Sequence, residues 1–134
     1  MDGEEISADR FVIATGCRPH LPDVPGADDP DLAGRIHDGD SILALEALPA
    51  SLIIVGGGAA AAEYAHIFAA LGTQVTLLHR GGRLLRREDD DISRRFTDLL
   101  SRRVVLRLGQ HLASVAEAGG RVEVGTTDDD GIEY

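Results

Sequence analysis

One short run of the sequence, "LIIVGGGAAAAE" at residues 52–63, limits what this chain can fold into. Its four apolar residues are typical of a buried strand, and its four alanines favour a helix. The three glycines between them permit the backbone conformations of a tight turn. We therefore predict a fully buried strand over 51–55, then a turn, then a helix over 59–71 that ends at Gly72.

The residues that follow repeat this alternation. "QVTLLH" at 74–79 predicts a second strand, "DDDISRRFTDLLSRR" at 89–103 a second helix and "VVLRL" at 104–108 a third strand. This order is the pattern of a doubly wound parallel sheet, so the expected fold class is α/β, a Rossmann-like parallel sheet with flanking helices. Residues 111–118 and 121–126 predict a small antiparallel β-meander. The apolar face expected on the second helix consists of Ile92, Phe96, Leu99 and Leu100.

The first third of the chain is less regular. "RFVIATG" at 10–16 is a short apolar run that predicts a buried strand. Residues 17–31 hold four of the five prolines and show no periodicity, which is typical of a linker. Residues 41–48 predict a short helix, with Ser41 or Asp40 as its N-terminal cap.

Composition narrows the class of protein. A length of 134 residues suits one domain, and a net charge of −10 argues against nucleic acid or an anionic membrane as a partner. No apolar run is long enough to cross a bilayer, and the acidic start is unlike a signal peptide. A single cysteine leaves no internal disulfide. We therefore expect a cytoplasmic protein.

The glycine-rich turn has the pattern of a dinucleotide-binding site. Residues 56–61 match G-x-G-x-x-[GA] between a predicted strand and a predicted helix, which is the context that the motif requires. The first glycine makes the turn, the second lets the backbone approach a pyrophosphate, and the small last residue allows the helix to pack on the strand. The free N–H groups of the helix suit phosphate. The predicted cofactor-binding residues here are Gly56, Gly58, Ala59, Ala60 and Ala61.

The residues after the second strand indicate which dinucleotide binds. NAD-binding proteins place a carboxylate at the end of this strand for the ribose 2′-hydroxyl. This chain has His79 and Arg80 there, followed by Arg83, Arg86 and Arg87. Guanidinium groups pair with a 2′-phosphate, so the prediction is NADPH. The alternative is a solvated basic loop, since arginine is this chain's only cation besides histidine.

Glu63 has two interpretations. It lies in the second turn of the predicted helix, close to where the cofactor is expected. An acidic residue near a helix N-terminus also stabilises the helix dipole without any ligand. From the residues alone, both interpretations stay open.

The chain resembles the flavin-dependent pyridine nucleotide-disulfide oxidoreductases. The resemblance rests on "ATGCRP" at 14–19, "PGADDP" at 25–30 and "LPASLIIVGGGAAAAEYAHIFAALGTQVTLLHRGGRLL" at 48–85, and it extends from about residue 6 to about residue 124. It implies that residues 1–48 are the tail of an FAD-binding segment with a linker, and that residues 49–134 are an incomplete NAD(P)H-binding domain.

The resemblance also implies roles for single residues. Ala14, Thr15 and Gly16 match the family segment that runs near the flavin nucleotide. Glu63 matches the glutamate beside the nicotinamide, and Arg80 and Arg86 match the arginines that hold the 2′-phosphate in NADPH-using members.

The family's other functional motifs are not found in this sequence. They are the FAD-binding G-x-G-x-x-G, the C-x-x-x-x-C redox pair and the C-terminal His-Glu pair, and Ala59 stands where some members carry a tyrosine that shields the nicotinamide. The resemblance therefore implies the NADPH-binding part of an FAD-dependent reductase of a low-molecular-weight disulfide such as mycothione. In the parent protein it would work with FAD and dimerisation domains, as a homodimer. The alternatives are an inactive dinucleotide-binding module and the central domain of a flavoprotein with another acceptor, such as a ferredoxin reductase.

Overall fold

The computed structural model describes residues 5–131. Its centre is a parallel sheet built from the strand–helix–strand pattern. In chain order the elements are β1 (Ser51–Val55), α1 (Ala59–Ala70), β2 (Gln74–His79), α2 (Asp90–Leu100) and β3 (Val105–Leu108). The strands lie in the order β1-β2-β3 and all pairs are parallel. The predicted mixed α/β fold with a parallel sheet is confirmed.

The core lies between one face of this sheet and the two helices. Val75 and Leu77 of β2 meet Ala65 and Phe68 of α1 and Leu100 of α2, and all five are buried. Because the strands occur in sequence order, both crossovers place their helices on this same face. The sheet is therefore wound on one face in the described residues, rather than on both as the doubly wound pattern predicted.

The prediction that β1 is fully buried is wrong, because one face of the strand points away from the helices. Strand β1 exists where expected, but it is not fully buried. Ile53 and Val55 point away from the helices and are 42% and 47% exposed, and Val105 of β3 is 54% exposed. Period-2 alternation puts these side chains on the face opposite the helices.

Helix boundaries follow local backbone chemistry. Helix α1 ends before Gly72, whose φ of 97° favours glycine, as the sequence predicted. Helix α2 begins after Asp89, whose carboxylate accepts a 2.9 Å hydrogen bond from the amide of Asp91. It ends earlier than the predicted 103, because residues 101–103 form a turn.

The predicted apolar face of α2 is partly wrong. Ile92 is 58% exposed and Leu99 is 44% exposed, whereas Ser93 is completely buried. Phe96 and Leu100 do pack against the core. The buried face is rotated because Ser93 forms a hydrogen bond with the loop that precedes the helix.

A two-stranded antiparallel hairpin follows the parallel sheet. It consists of β4 (His111–Ala118) and β5 (Arg121–Thr127), close to the predicted bounds. Gly119 and Gly120 form the turn with φ of 58° and 82°, both in the left-handed region. Within residues 5–131 the meander thus has two strands.

The N-terminal strand prediction is wrong. Residues 10–16 form no strand, and Phe11, Val12 and Ile13 are 68%, 90% and 88% exposed. A strand needs a hydrogen-bonded neighbour, and no described strand pairs with this segment.

The predicted linker is instead docked on the hairpin. The carbonyl of Pro25 accepts a 2.9 Å hydrogen bond from the amide of Val115. A Cβ on Gly26 would lie 1.7 Å from the Val115 oxygen, so only glycine permits this approach. A short 3-10 helix, Pro30–Leu32, buries Leu32.

The helix expected over 41–48 is a shorter 3-10 helix, Ser41–Ala44. The cap expected from Ser41 or Asp40 is also wrong. The carboxylate of Asp38 accepts hydrogen bonds from the amides of Asp40 and Ser41 at 3.0 and 2.8 Å. The bond from the Ser41 amide, followed by one from the Ser41 hydroxyl, lowers the pKa of Asp38. Neither α1 nor α2 is long and apolar enough to span a membrane, and residues 5–131 contain no other α-helix.

Candidate functional site

The glycine-rich turn leads from β1 into α1 with glycine-specific geometry. Gly56 has φ of 142°, and its amide donates a 2.9 Å hydrogen bond to the carbonyl of Leu78 on β2. A Cβ on Gly56 would lie 3.4 Å from the Cβ of Ala61, so helix and turn are already in close contact. A larger residue at either position would push α1 away from the sheet.

The start of α1 is open to a ligand. Gly58 is the N-cap, its φ of −88° is available to any residue, and no side chain caps the helix. A Cβ on Gly58 would meet nothing within 4 Å, and Gly58, Ala59 and Ala60 are all exposed. The first amides of a helix lack intrahelical acceptors, so they are free to bind an anion here.

The middle glycine has a different role. Gly57 is buried, and a Cβ there would lie 2.5 Å from the Cγ, Cδ2 and Nδ1 atoms of His79. A Cβ on Gly81 would lie 2.7 Å from His79 Nε2. The imidazole therefore fills the space between the turn and the residues after β2, and it requires glycine on both sides.

Residues 80–88, which we call the arginine loop, connect β2 to α2. Leu84 anchors this loop because its side chain is completely buried. Its carbonyl accepts a 2.5 Å hydrogen bond from the Ser93 hydroxyl, and its amide donates a 3.0 Å hydrogen bond to Thr97 Oγ1. Two side chains of α2 thus fix the backbone of the loop.

Leu85 joins the arginine loop to the glycine-rich turn. Its amide donates a 2.7 Å hydrogen bond to the carbonyl of Gly57. Its φ of 54° is the only positive value at a non-glycine residue in the described chain. Such a conformation costs about 1 kcal/mol or more and is retained only where the surroundings enforce it.

The arginine loop forms one wall of a cleft of about 760 Å³. The cleft is wide open to solvent. The cleft is lined by Arg80, Gly81, Gly82, Arg83, Arg86, His111 and Asp129. The structure therefore brings together Arg80 and Arg86, the two arginines selected from the sequence.

Only some of the charged residues that line the cleft form ion pairs within residues 5–131. Arg83 forms an ion pair with Asp90 at the start of α2. His111 Nε2 lies 2.8 Å from a carboxylate oxygen of Asp129, so the acid in the cleft has a partner of its own. Arg80 and Arg86 are exposed and form no ion pair within the described residues, which leaves both guanidinium groups available to an anion.

His79 lies beneath these arginines. Its Nε2 is buried and has no hydrogen-bond partner in residues 5–131. Burial lowers the pKa of His79, and the positive charges of Arg86 and Arg80 lower it further. Burial and the two neighbouring cations thus both favour the neutral form of the ring.

Of the predicted site residues, only Arg80 and Arg86 line the cleft. Those outside the lining are Gly56, Gly58, Ala59, Ala60, Ala61, His79, Glu63 and Ala14–Gly16. Glu63 is exposed on α1, and its carboxylate forms no ion pair with another described residue. Ala14, Thr15 and Gly16 are exposed, and neither cleft found in the described structure includes them. The roles assigned to these residues remain predictions.

Sequence reasoning missed the packing partners of the site. Gly57 and Gly81 were not assigned a function, and Leu85, His111 and Asp129 were not considered. One signal was present: the middle position of G-x-G accepts any residue, so a third consecutive glycine indicates a close neighbour. The His111–Asp129 pair has no comparable signal, because these residues are 18 positions apart.

Comparison with known proteins identifies the family. The family described as "Pyridine nucleotide-disulphide oxidoreductase" matches residues 1–134, the whole chain. The chain belongs to this family. The resemblance inferred from the sequence is therefore confirmed, and with it the membership of a family of flavin-dependent oxidoreductases.

Several members of the family are similar over most of this chain. A mycothione reductase from Mycobacterium tuberculosis (strain ATCC 25618 / H37Rv) is 40% identical over 126 residues, which are 94% of this chain and 27% of the relative. A glutathione reductase from Burkholderia cepacia is 36% identical over 132 residues, which are 98% and 28% of the two chains. The chain spans about a quarter of the length of these relatives.

A solved structure shows the same fold. The HOCl-induced flavoprotein disulfide reductase from Escherichia coli superimposes with a TM-score of 0.73 at 28% identity. The match covers 90% of this chain and 27% of that one. The arrangement of strands and helices in this chain is thus that of a segment of a flavoprotein disulfide reductase.

Proposed function

We propose that this chain is the NADPH-binding portion of an FAD-dependent disulfide reductase, in which NADPH delivers a hydride to flavin. The observation that carries the proposal is the cleft lined by Arg80, Arg83 and Arg86, which we call the arginine cleft. A 2.7 Å backbone hydrogen bond from Leu85 connects the arginine loop to the glycine-rich turn. A dinucleotide with a 2′-phosphate has negative charge at two separated points. The chain offers an anion site at each of the two.

The pyrophosphate is proposed to bind at the start of α1. The space beside Gly58 is open, and the unpaired amides of the first turn face it. The small residues Ala59 and Ala60 leave room for the cofactor to approach the backbone. Gly56 and Ala61 stabilise this geometry. Gly56 adopts the φ that the turn requires, and Ala61 is small enough to pack closely against the turn.

The 2′-phosphate is proposed to bind between Arg80 and Arg86. Two guanidinium groups without carboxylate partners in residues 5–131 favour a dianion, through charge-assisted hydrogen bonds. The residue at the end of β2 is His79 rather than the acid that selects the 2′-hydroxyl of NADH, and Asp129, the carboxylate that lines the cleft, is paired with His111. These features support NADPH over NADH.

Glu63 is proposed to face the nicotinamide. Its exposure on α1 leaves the carboxylate free for a polar contact with the cofactor. Ala59, which replaces a tyrosine of some family members, leaves the nicotinamide side of the turn uncovered. Glu63 would orient the ring, and the bound nicotinamide would supply the hydride.

The flavin requires more than this chain. Residues Ala14–Gly16 are exposed and line no cleft in the described structure, so they do not form a flavin site alone. We assign 1–48 to the end of an FAD-binding segment and 49–134 to the NADPH-binding domain. FAD, the redox cysteines and the dimer contacts are proposed to belong to other segments of a cytoplasmic, homodimeric parent.

Calorimetric titration of the chain with NADPH and with NADH tests the cofactor assignment. Loss of one set of charge-assisted hydrogen bonds costs about 1.5–3 kcal/mol, so NADPH is expected to bind about 10- to 100-fold more tightly. The difference should shrink as salt is raised, since it is electrostatic. Equal affinities at low salt would overturn the proposal.

A further inference from the structure

His79 is the most unusual group near the arginine cleft. Its ring is enclosed between Gly57 and Gly81, and its Nε2 is buried without a partner in residues 5–131. A buried polar atom without a hydrogen bond destabilises the folded protein. Such an atom beside an open cleft is a candidate for a function that appears when the cleft is filled.

The charges that act on His79 are those of Arg86 and Arg80. Arg80 follows it directly, and the side chain of Arg86 reaches the same region, with Cδ 3.0 Å from where a Cβ on Gly81 would lie. The described residues known to lie against the ring or to pair with its backbone are uncharged. They are Gly57 before α1, Leu108 on β3 and Gln110, whose amide donates to the His79 carbonyl at 3.3 Å.

This arrangement makes the proton on His79 depend on the cleft. With the cleft empty, two cations and burial oppose a third positive charge. A phosphate dianion between Arg80 and Arg86 would offset their charge, and it would then favour the imidazolium. Proton binding and phosphate binding are therefore thermodynamically linked, and each must strengthen the other.

We propose that His79 is the proton-linked residue of the cofactor site: a 2′-phosphate in the arginine cleft draws a proton from solvent onto its ring. The inference rests on the proposed NADPH site and deepens it. Imidazole becomes imidazolium and no electrons move. Binding of the 2′-phosphate, but not of a cofactor lacking it, would take up a proton and weaken as pH rises.

The test uses adenosine 2′,5′-bisphosphate and 5′-AMP, which differ only in the 2′-phosphate. Calorimetry at pH 7.5 in two buffers of different ionisation enthalpy gives the protons bound on association. At this pH the 2′-phosphate, with a second pKa of about 6, is almost fully ionised and contributes little. We expect proton uptake with the bisphosphate and none with 5′-AMP.

Two variants assign the proton. His79→Gln should lose most of the uptake, whereas His111→Gln, which changes the other histidine at the cleft, should keep it. Between pH 6.5 and 8.5 the wild-type affinity should fall more than that of His79→Gln. Each unit by which binding raises the pKa of His79 makes this extra fall at most about tenfold.

Nitrogen-15 NMR of the wild-type histidines provides a readout that needs no variant to fold. Addition of the bisphosphate should shift one pair of ring nitrogens toward imidazolium values. If the bisphosphate binds more tightly than 5′-AMP but no proton is taken up, the His79 inference alone is overturned. Loss of the proton uptake in His111→Gln would overturn it in the same way. Equal binding of the two nucleotides would overturn the NADPH proposal with it.

Discussion

The amide of Leu85 donates a 2.7 Å hydrogen bond to the carbonyl of Gly57, and this contact joins two loops with separate tasks. Gly57 belongs to the turn proposed for the pyrophosphate, and Leu85 to the loop that carries the arginines. Leu85 accepts a φ of 54° to make the bond. The distance between the two proposed phosphate sites is thereby fixed before any cofactor arrives.

Gly57→Ala should disturb both loops. The added Cβ would meet the His79 ring at 2.5 Å, so the ring or the turn must move. Overpacking of this kind costs about 1–3 kcal/mol, which for a domain of this size lowers the melting temperature by several degrees. Thermal unfolding followed by circular dichroism measures the loss of stability, and calorimetry should show weaker NADPH binding.

Gly58→Ala is the matched control for that substitution. Its Cβ would meet nothing within 4 Å, and its φ of −88° suits alanine, so the stability should change by no more than about 1 kcal/mol. NADPH affinity should nevertheless fall at least about tenfold, because the methyl group would occupy the approach to the pyrophosphate. Unchanged affinity in Gly58→Ala would argue against this pyrophosphate position.

Ser93→Ala should loosen the arginine loop from the side of α2. The completely buried hydroxyl donates to the Leu84 carbonyl at 2.5 Å, and its removal leaves that acceptor unsatisfied. The expected cost is about 1–3 kcal/mol in urea unfolding, with faster hydrogen exchange at Leu84 and Leu85. Ser101→Ala, which removes an exposed hydroxyl bonded to Asp98, should cost less than about 0.5 kcal/mol. Similar costs for both variants would contradict the anchoring role of Ser93.

The lowered pKa of His79 predicts how stability depends on pH. The unfolded chain binds a proton near the ordinary pKa of 6.5, whereas the folded chain binds it only at lower pH. Between these two values the unfolded state holds more protons, so stability falls as pH decreases through this window and is fully present above it. Wild type should therefore lose more melting temperature between pH 8 and pH 5 than His79→Gln does. Parallel curves would show that His79 is not perturbed in the folded protein.

The sequence was a good guide to elements whose periodicity and end signals agree. Strand β2 and helix α1 have the predicted extents to within one residue, because an apolar run, a glycine-rich turn and a terminal glycine all mark the same boundaries. The hairpin was found for the same reason. Its two central glycines adopt the positive φ values that such a turn requires.

The errors arose where an apolar run was taken as evidence of burial. Phe11 and Ile53 are apolar, but burial depends on a partner surface that local sequence does not specify. The buried face of α2 was also predicted wrongly. Ser93 is buried because its hydroxyl donates a hydrogen bond to the Leu84 carbonyl, whereas Ile92 is exposed. In the site, the arginines were identified from their position after β2. The packing of the His79 ring between Gly57 and Gly81 could not be predicted, because it depends on how distant segments meet in the folded chain.

The most direct test of the central claim is the ratio of NADH to NADPH dissociation constants in single-arginine variants, measured by calorimetry at low salt. Arg80→Ala and Arg86→Ala should each remove most of the wild-type preference of about 10- to 100-fold and bring this ratio close to 1, through weaker NADPH binding with NADH unchanged. Arg121→Ala, on the exposed start of β5, should leave it as in wild type. A ratio unaffected by Arg80→Ala and Arg86→Ala, or lowered equally by Arg121→Ala, would contradict a 2′-phosphate site in the arginine loop.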